Sequence, residues 1–233
     1  MKRWLPIRTS AMYRAQQALG ARFKEDAGWR VADVYTSTDD EAARARTGVG
    51  LSDVSAWGKL GVRGEAIEPL VVKLTGRAAP AVGLASWAPV NGARALLCRR
   101  AADELLLLTA PRELSIVADV LEKTIEGAGC VHATDLTAAF AAIDVMGAGL
   151  GPLLERLVAL DLSAVPTLGV VQGELARVRV IMVRLDRPTL PAYRVLVPRE
   201  YGDFVWKALG DAGHDLGLTA VGAAAHGRLM TEA

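Results

Sequence analysis

Apolar and polar positions alternate along this chain with two periods, one typical of helices and one typical of strands. Between residues 65 and 74 the apolar spacing predicts a helix with one buried face, formed by Ile67, Leu70, Val71 and Leu74. From residue 174 to residue 184 apolar residues instead alternate with charged ones, which favours a half-buried strand. The chain therefore combines helices and strands.

Turn and cap residues predict the elements in the rest of the chain. Further helices are predicted over residues 11–20, 38–46, 111–126, 150–160, 198–212 and 219–232. Strands are predicted over 51–63 with a bend at 57–59, over 139–145 and over 193–197, and a hairpin over 93–110. Residues 76–89, which are rich in glycine, proline and alanine, are predicted to form a loop.

A strand, a glycine and a helix follow one another twice with identical spacing. The two copies are Val62-x-Gly64-x-x-x-x-Pro69 and Val145-x-Gly147-x-x-x-x-Pro152, 83 residues apart (145 minus 62). Coincidence among common residues is the alternative, and we favour an internal duplication because all the gap lengths match. The predicted fold class is α+β, with two similar mixed α/β halves, residues 1–133 and 134–233, built on antiparallel sheets.

The composition is that of a globular chain with almost balanced charge. Of its 233 residues 52% are hydrophobic, and 27 basic side chains against 26 acidic ones give a net charge of +1. This balance argues against a dedicated nucleic-acid-binding protein, which would present a basic face. No apolar run reaches the length of a membrane span, and the N-terminus does not resemble a secretory signal. We therefore expect a cytoplasmic protein with neither a nucleic-acid nor a membrane partner.

Few side chains point to chemistry by their spacing. Cys98 and Cys130 have no close histidine or cysteine partner, so neither a zinc site nor a disulfide is expected, and Cys98 is predicted to lie in the core. The three histidines are too far apart in sequence to suggest a metal site: His132, His214 and His226. Asp144 stands among apolar residues of a predicted strand and is expected to face solvent by alternation. Asp53 is predicted to form a turn or a helix cap.

Two stretches of the chain resemble a known family. The first is Val49-Gly50-Leu51-Ser52-Asp53-Val54-Ser55-x-x-Gly58-Lys59-Leu60-x-Val62-x-Gly64, preceded by Glu41, and the second comprises Asp135-Leu136-Thr137, Val145-Met146-Gly147 and Val197-Pro198. Together they resemble the glycine cleavage T-protein, or aminomethyltransferase, family over nearly the whole chain. The resemblance stops where the C-terminal barrel of that family would begin. It implies an aminomethyltransferase-like folate-binding fold without the barrel domain.

The resemblance also implies a tetrahydrofolate site that passes a one-carbon unit to or from atom N5 of the cofactor. Such a site needs a carboxylate near N5, which orients the amine and helps a proton to move. A second carboxylate accepts two hydrogen bonds from the amino-pyrimidine edge of the pterin. An arginine near the end of the domain favours the anionic parts of the cofactor.

This sequence departs from the family at all three places. The strand around residues 91–97 has no carboxylate and contains Arg94. Arg194 follows Tyr193 where the family has its pterin-binding glutamate, and a guanidinium accepts no hydrogen bond. Near the C-terminus His226 takes a pocket position, and Arg228 would replace the family's arginine from a different helix face. These five residues form the predicted pocket, none of them is predicted to be catalytic, and we expect poor binding of tetrahydrofolate.

Three hypotheses of function follow. We favour a catalytically degenerate subunit of a multisubunit sarcosine-oxidase-type amine oxidase or demethylase, similar to the gamma subunit of heterotetrameric sarcosine oxidase. Such a chain would not be catalytic alone and would bind other oxidase or demethylase subunits, or itself, with Trp87 and Trp206 as anchors. The alternative is a tetrahydrofolate-dependent aminomethyl or methyl transferase with a rearranged pocket. A third is a domain that binds carboxylate or phosphate groups through Arg94 and Arg194.

Overall fold

The computed structural model describes residues 6–127 and 129–231. These residues form an α+β fold, as predicted, and contain three sheets. The helices are α1 (Tyr13–Ala18), α2 (Thr38–Thr47), α3 (Ile67–Thr75), α4 (Leu114–Ile125), α5 (Leu150–Leu157), α6 (Gly202–Ala212) and α7 (Ala223–Thr231). The strands are β1 (Arg8–Thr9), β2 (Arg22–Asp26), β3 (Trp29–Val34), β4 (Val49–Asp53), β5 (Gly58–Gly64), β6 (Ala85–Val90), β7 (Ala93–Ala101), β8 (Glu104–Thr109), β9 (Val131–Asp135), β10 (Phe140–Met146), β11 (Val170–Leu175), β12 (Val178–Arg184), β13 (Ala192–Pro198) and β14 (Leu218–Ala220). Residue 232, with which the last predicted helix ends, lies outside the described residues.

One compact unit comprises the described parts of residues 1–56, 140–167 and 172–233. It is built on a six-stranded sheet with the order β11-β12-β13-β10-β4-β14, and it also contains the small sheet β1-β3-β2. The central strand β10 is antiparallel to both of its neighbours, β13 and β4, whereas β14 is parallel to β4. Nearly every residue of β10 and β13 is buried, so these two strands hold the middle of the core.

The other compact unit comprises the described parts of residues 57–139 together with residues 168–171. Its five-stranded antiparallel sheet has the order β6-β7-β8-β5-β9. The apolar face of α3 packs into a core with sheet residues and with Val117 and Leu121 of α4. The predicted face of α3 is confirmed, because all four of its apolar residues are buried: Ile67, Leu70, Val71 and Leu74.

The two copies of the sequence repeat occupy equivalent places, which confirms the prediction of two similar halves. Gly64 ends β5 and Gly147 follows β10, with φ angles of 149° and 117°. A Cβ atom would lie 2.2 Å from the Cys130 carbonyl oxygen at Gly64 and 2.1 Å from the Ala45 carbonyl oxygen at Gly147. Both positions therefore require glycine for its positive φ and for a close backbone approach. A helix begins three residues after each glycine, at Ile67 and at Leu150.

The order of the strands repeats as well. The series β5-α3-β6-β7-β8-α4 along the chain corresponds to β10-α5-β11-β12-β13-α6, and the strand order β6-β7-β8-β5 corresponds to β11-β12-β13-β10. None of the three sheets in the described residues closes into a barrel. Strand β4 of the first predicted half pairs with β10 of the second, so the compact units do not divide at residue 133. The boundary at residue 133 stays a prediction about where the duplicated sequences meet.

Three predictions of local structure are wrong. The last helix is predicted to begin at residue 219, but residues 218–220 form strand β14. Residues 85–90 form strand β6, paired with β7, although their proline and alanine content favours a loop. The single strand predicted over 174–184 is two strands, because Ala176 and Arg177 adopt φ angles of 50° and 66° between β11 and β12. Two successive positive φ angles are characteristic of a tight hairpin turn, and neither residue is the asparagine or glycine that usually signals it.

Candidate functional site

Asp144 and Arg194 face each other across the two central strands of the six-stranded sheet. They are direct partners in the antiparallel register of β10 and β13. Nε of Arg194 donates to Oδ1 of Asp144 at 2.7 Å, and Nη2 donates to Oδ2 at 2.8 Å. The side chains of Arg194 and Asp144 are 2% and 1% exposed, respectively. This is a buried bidentate ion pair, the geometry in which guanidinium and carboxylate interact most strongly.

His226 of α7 completes the cluster. Its Nε2 atom lies 2.7 Å from Oδ2 of Asp144, and its side chain is buried as well. An ionised carboxylate only accepts hydrogen bonds, so Nε2 of His226 donates in this contact. Asp144 thus receives three donors from two side chains, and we call Asp144, Arg194 and His226 the buried triad.

The triad keeps Asp144 ionised. Burial by itself would raise the pKa of this carboxyl, but the charge and hydrogen bonds of Arg194, together with those of His226, lower it well below its usual range. The negative charge of Asp144 therefore offsets the positive charge of Arg194 within the core. In this arrangement the Arg194 guanidinium forms its ion pair with Asp144 on the neighbouring strand of the same sheet.

The expectation that Asp144 faces solvent is wrong, and Asp144 is the member of the triad that sequence reasoning missed. All residues from Ala141 to Met146 are buried, because β10 is an inner strand of the sheet and both faces of the sheet are covered at this strand. The one signal in the sequence was Arg194 itself, because an arginine on an apolar strand needs a carboxylate partner if the strand is buried, but this signal does not say which acid is the partner. Asp144 is the acid on the strand that pairs with it.

A second buried carboxylate positions the helix that carries His226. Glu41 is 1% exposed, and its oxygens accept from the backbone N–H groups of Tyr35 at 2.6 Å, Thr36 at 2.9 Å and Gly222 at 2.7 Å. Gly222 directly precedes α7, and its carbonyl accepts from the N–H of His226 at 2.9 Å. The resemblance already included Glu41, and the structure shows its role as a hydrogen-bond acceptor that fixes the start of α7.

Tyr193 lies next to Arg194 but belongs to a different environment, because neighbouring residues of a strand point to opposite faces. The Arg184 guanidinium lies 5.9 Å from the centre of the Tyr193 ring, and the Tyr193 hydroxyl donates to the Leu162 carbonyl at 3.4 Å. Burial raises the pKa of Tyr193, which remains a phenol. Tyr193 is therefore not part of the buried triad.

The remaining two predicted pocket residues are exposed and lie elsewhere. Arg228 forms an ion pair with Asp39 on the exposed side of α7, opposite to His226. Arg94 is in the other compact unit, where its guanidinium lies over the Trp87 ring, 4.9 Å from the ring centre. Of the five predicted residues, the structure thus brings only Arg194 and His226 together.

Burial decides several of the other predictions. Cys98 is in the core, as predicted, and Asp53 accepts from the Ser55 N–H at 2.9 Å in the predicted turn. Trp206 is only 4% exposed, so the prediction that it anchors a partner is wrong. The buried face of α6 runs from Gly202 through Val205, Trp206 and Leu209, which leaves Phe204, another apolar residue of this helix, 52% exposed.

Neither a metal-binding cluster nor a membrane span occurs in the described part of the chain. Residues 6–127 and 129–231 contain no group of three or more histidine, cysteine, aspartate or glutamate side chains placed to hold a metal ion. Within the same residues, no helix has the length and apolar character needed to cross a membrane.

Comparison with known proteins gives a consistent family relationship. Residues 12–233 match the family described as the GCVT N-terminal domain. The chain is 27% identical to an aminomethyltransferase of Saccharopolyspora erythraea and 26% identical to one of Geobacillus thermodenitrificans. Each match covers 97% of this chain and 64% of the relative, so the chain spans less than two thirds of these proteins.

Two solved structures share the fold. The glycine cleavage system aminomethyltransferase T from Bartonella henselae matches with a TM-score of 0.84 at 18% identity, over 96% of this chain and 62% of that chain. A chain of the heterotetrameric sarcosine oxidase from Corynebacterium sp. U-96 matches with a TM-score of 0.66 at 18% identity. That match covers 92% of this chain and 98% of the other, so the two chains are similar in extent.

Proposed function

This chain belongs to the GCVT N-terminal domain family, and from that membership we propose that it is a subunit of a multisubunit amine oxidase or demethylase of the sarcosine-oxidase type. In this role it keeps the aminomethyltransferase-like fold, has lost ordinary folate chemistry and is not catalytic by itself. Its contribution to the assembly is structural.

The buried triad is the observation that supports this proposal. Arg194 stands where the resemblance places a glutamate that accepts hydrogen bonds from the pterin, and a guanidinium has no acceptor. Its charge is held by Asp144 at 2.7 and 2.8 Å in the core. A substitution that had merely damaged a site would leave a buried charge without a partner, at a large cost in stability. Here the replacement is integrated into the sheet, as expected for a position that has acquired a structural role.

The strand around Arg94 supports the same conclusion. No residue from Asn91 to Leu97 has a carboxylate. The carboxylate of Glu113, which precedes α4, accepts from the backbone N–H of Arg94 at 3.4 Å and is therefore already engaged. Glu104, the acidic residue of the paired strand β8, lies at the far end of that strand, opposite Ala101, and forms ion pairs with Arg63 and Arg100. A carboxylate committed to two guanidinium groups is poorly suited to orient an amine of a cofactor.

A titration with tetrahydrofolate tests the loss of folate recognition. Losing one charged bidentate partner costs roughly 2–5 kcal/mol, which corresponds to about 30-fold to several thousand-fold in affinity. We therefore expect no saturable binding of tetrahydrofolate below about 100 µM. Isothermal calorimetry under anaerobic conditions measures this, with a full-length aminomethyltransferase as the positive control. Binding in the low-micromolar range would contradict the proposal.

Co-expression tests the subunit role separately. The tagged chain is produced together with each flavin-dependent oxidase or demethylase subunit encoded beside it, and the complexes are analysed by size-exclusion chromatography with light scattering. We expect one stable hetero-oligomer. A chain that stays alone with every such subunit would contradict the role, whatever the result with tetrahydrofolate.

The alternative, a tetrahydrofolate-dependent transferase with a rearranged pocket, is favoured by the similarity to aminomethyltransferases over 97% of the chain. The same two experiments separate the hypotheses. A transferase binds tetrahydrofolate alone or in the complex, whereas a degenerate subunit forms the complex and leaves the affinity for tetrahydrofolate weak.

A further inference from the structure

Strand β9 forms an open edge of the five-stranded sheet. Within residues 6–127 and 129–231 it pairs only with β5, and its residues from His132 to Asp135 are exposed. Native proteins commonly protect such edges with proline, lysine or a bulge. β9 has none of these, whereas Pro89 interrupts the opposite edge strand β6. The edge is thus five residues long and regular, and it is accessible to a further strand.

The register of β9 shows which backbone groups point outward. The N–H of Leu136 donates to the Lys59 carbonyl at 2.8 Å. Hydrogen-bonded positions recur at every second residue of an antiparallel pair, so Thr134 and His132 also direct their backbone groups to β5. The N–H and C=O groups of Ala133 and Asp135 therefore point to the open side, where they match the donors and acceptors of an added strand.

A groove lies beside this edge, between β9 and α4. Its volume is about 360 Å³, and every residue of β9 contributes to its wall. The floor is apolar and includes Leu121 and Ile125 of α4 and Val131 of β9. Successive side chains of a strand point to opposite faces, so every second side chain of an added strand would enter the groove.

The charged groups at this groove are acidic. Glu122 and Asp135 line it together with His132, and no lysine or arginine is among the lining residues. Both carboxylates belong to exposed residues. A segment with apolar side chains at alternate positions and basic side chains between them matches both the floor and the rim.

The molecule itself shows how a strand is added at the corresponding edge. In the other compact unit β4 lies beside β10 as β9 lies beside β5, and the outer side of β4 is occupied by β14. This three-residue strand pairs in parallel with β4, and the N–H of Val221 extends the pairing by donating to the Leu51 carbonyl at 2.7 Å. The repeated sheet thus has one more strand at the place where β9 is open.

We propose that the β9 edge and the groove beside it bind an extended basic segment of a partner polypeptide, which adds to the sheet as a sixth strand. The segment pairs its backbone with Ala133 and Asp135 and places alternate apolar side chains against α4. All of the residues involved belong to one compact unit, and the edge would bind such a segment whether or not the chain has the proposed oxidase role.

The test uses the full chain and a defined probe, the fluorescein-labelled peptide acetyl-Lys-Val-Arg-Val-Lys-Val-Thr-amide. We expect saturable binding by fluorescence anisotropy with a dissociation constant below about 1 mM. The backbone amides of Ala133 and Asp135, followed by NMR in ¹⁵N-labelled protein, should exchange rapidly without peptide and be protected with it. A peptide N-methylated at alternate residues should bind at least about 10-fold more weakly, because it cannot pair its backbone.

Two variants separate backbone pairing from charge. Ala133→Pro removes an N–H that points outward and should weaken peptide binding about 10-fold, because one backbone hydrogen bond to the peptide is lost. The variant should still fold, because proline is tolerated on edge strands. Ala133→Thr, which keeps the N–H, is its control. The double variant Glu122→Gln/Asp135→Asn removes the acidic rim and leaves the backbone intact, and the new amide side chain at position 135 keeps an acceptor for the Thr137 N–H. It should weaken binding about 10-fold in low salt and less in high salt.

Three results would overturn the proposal. The first is the absence of binding up to about 1 mM peptide. The second is binding that N-methylation of the peptide leaves unchanged, because the contact would then not be backbone pairing. The third is a dimer of the chain alone that Ala133→Pro dissociates, because a second copy would then occupy the edge. If Ala133→Pro unfolds by circular dichroism, the N-methylated peptide and the charge variant still decide the question.

Discussion

At Arg194 the chain holds a full positive charge inside its core, and this is stable because the carboxylate of Asp144 lies opposite with matching geometry. The substitution at residue 194 could be recognised from the sequence. Its partner could not, because alternation along β10 predicts a solvent-facing acid when the strand is assumed to have one wet face. A central strand buried on both faces violates that assumption.

The ion pair predicts a specific pattern of coupling. Arg194→Met leaves the carboxylate of Asp144 buried without its main partner and should destabilise the fold by about 3–5 kcal/mol. The double variant Arg194→Met/Asp144→Leu removes both charges and should cost less than the single variant. Urea denaturation measures both. The exposed pair of Lys207 with Asp203 is the control, and Lys207→Ala should cost under about 1 kcal/mol. A double variant at least as unstable as Arg194→Met would contradict this account.

The lowered pKa of Asp144 also predicts a pH dependence. A carboxyl whose pKa is lower in the folded state stabilises the fold above its unfolded value, about 3.9, and this contribution is lost as the pH falls through the folded value. The free energy of unfolding of the wild type should therefore decrease more steeply below about pH 5 than that of Asp144→Asn. Denaturation curves between about pH 3 and pH 7 check this. Parallel pH profiles would show that Asp144 does not titrate as the structure indicates.

At the level of elements, the sequence predicts a helix or a strand correctly where the apolar periodicity and the glycine or proline residues that end the element agree. The helix over Ile67–Thr75 and the repeated strand–glycine–helix unit are examples. It failed where a tertiary neighbour decides. Residues 85–90 become a strand because β7 supplies hydrogen-bond partners to a segment with weak strand propensity. The turn at Ala176 and Arg177 carries no recognisable turn residue, so the two strands that it joins were predicted as one.

The repeated glycine predicts a large difference between two alanine substitutions in the same segment. Gly147→Ala would place a Cβ atom 2.1 Å from the Ala45 carbonyl oxygen at a φ of 117°, and should destabilise the fold by about 2–4 kcal/mol. Gly151→Ala is the control, because Gly151 lies within α5 with nothing within 4 Å of a Cβ atom. It should be neutral or stabilising by up to about 1 kcal/mol. Thermal unfolding of both variants measures the contrast, and equal effects would refute it.

Over the whole molecule, the fold of the family is retained, whereas the residues that the resemblance assigns to folate recognition are not. The fold is shared with a solved aminomethyltransferase at a TM-score of 0.84 despite 18% identity. The three places that the resemblance assigns to folate recognition all depart from the pattern of the family: the strand around Arg94, position 194, and α7 with His226 and Arg228. A fold is stabilised by many apolar contacts and tolerates substitution, whereas a binding site depends on a few polar groups.

Because these changes are distributed, we predict that repairing position 194 alone does not restore folate recognition. In Arg194→Glu/Asp144→Asn the asparagine amide can donate to the new carboxylate, and the asparagine oxygen can still accept from His226, so the buried groups keep hydrogen bonds. Each missing group elsewhere still costs roughly 2–5 kcal/mol of binding free energy. The double variant should therefore stay folded by circular dichroism and still bind tetrahydrofolate more weakly than about 100 µM by calorimetry. A dissociation constant below about 10 µM would mean that the rest of the pocket is intact, and it would favour the transferase over the degenerate subunit.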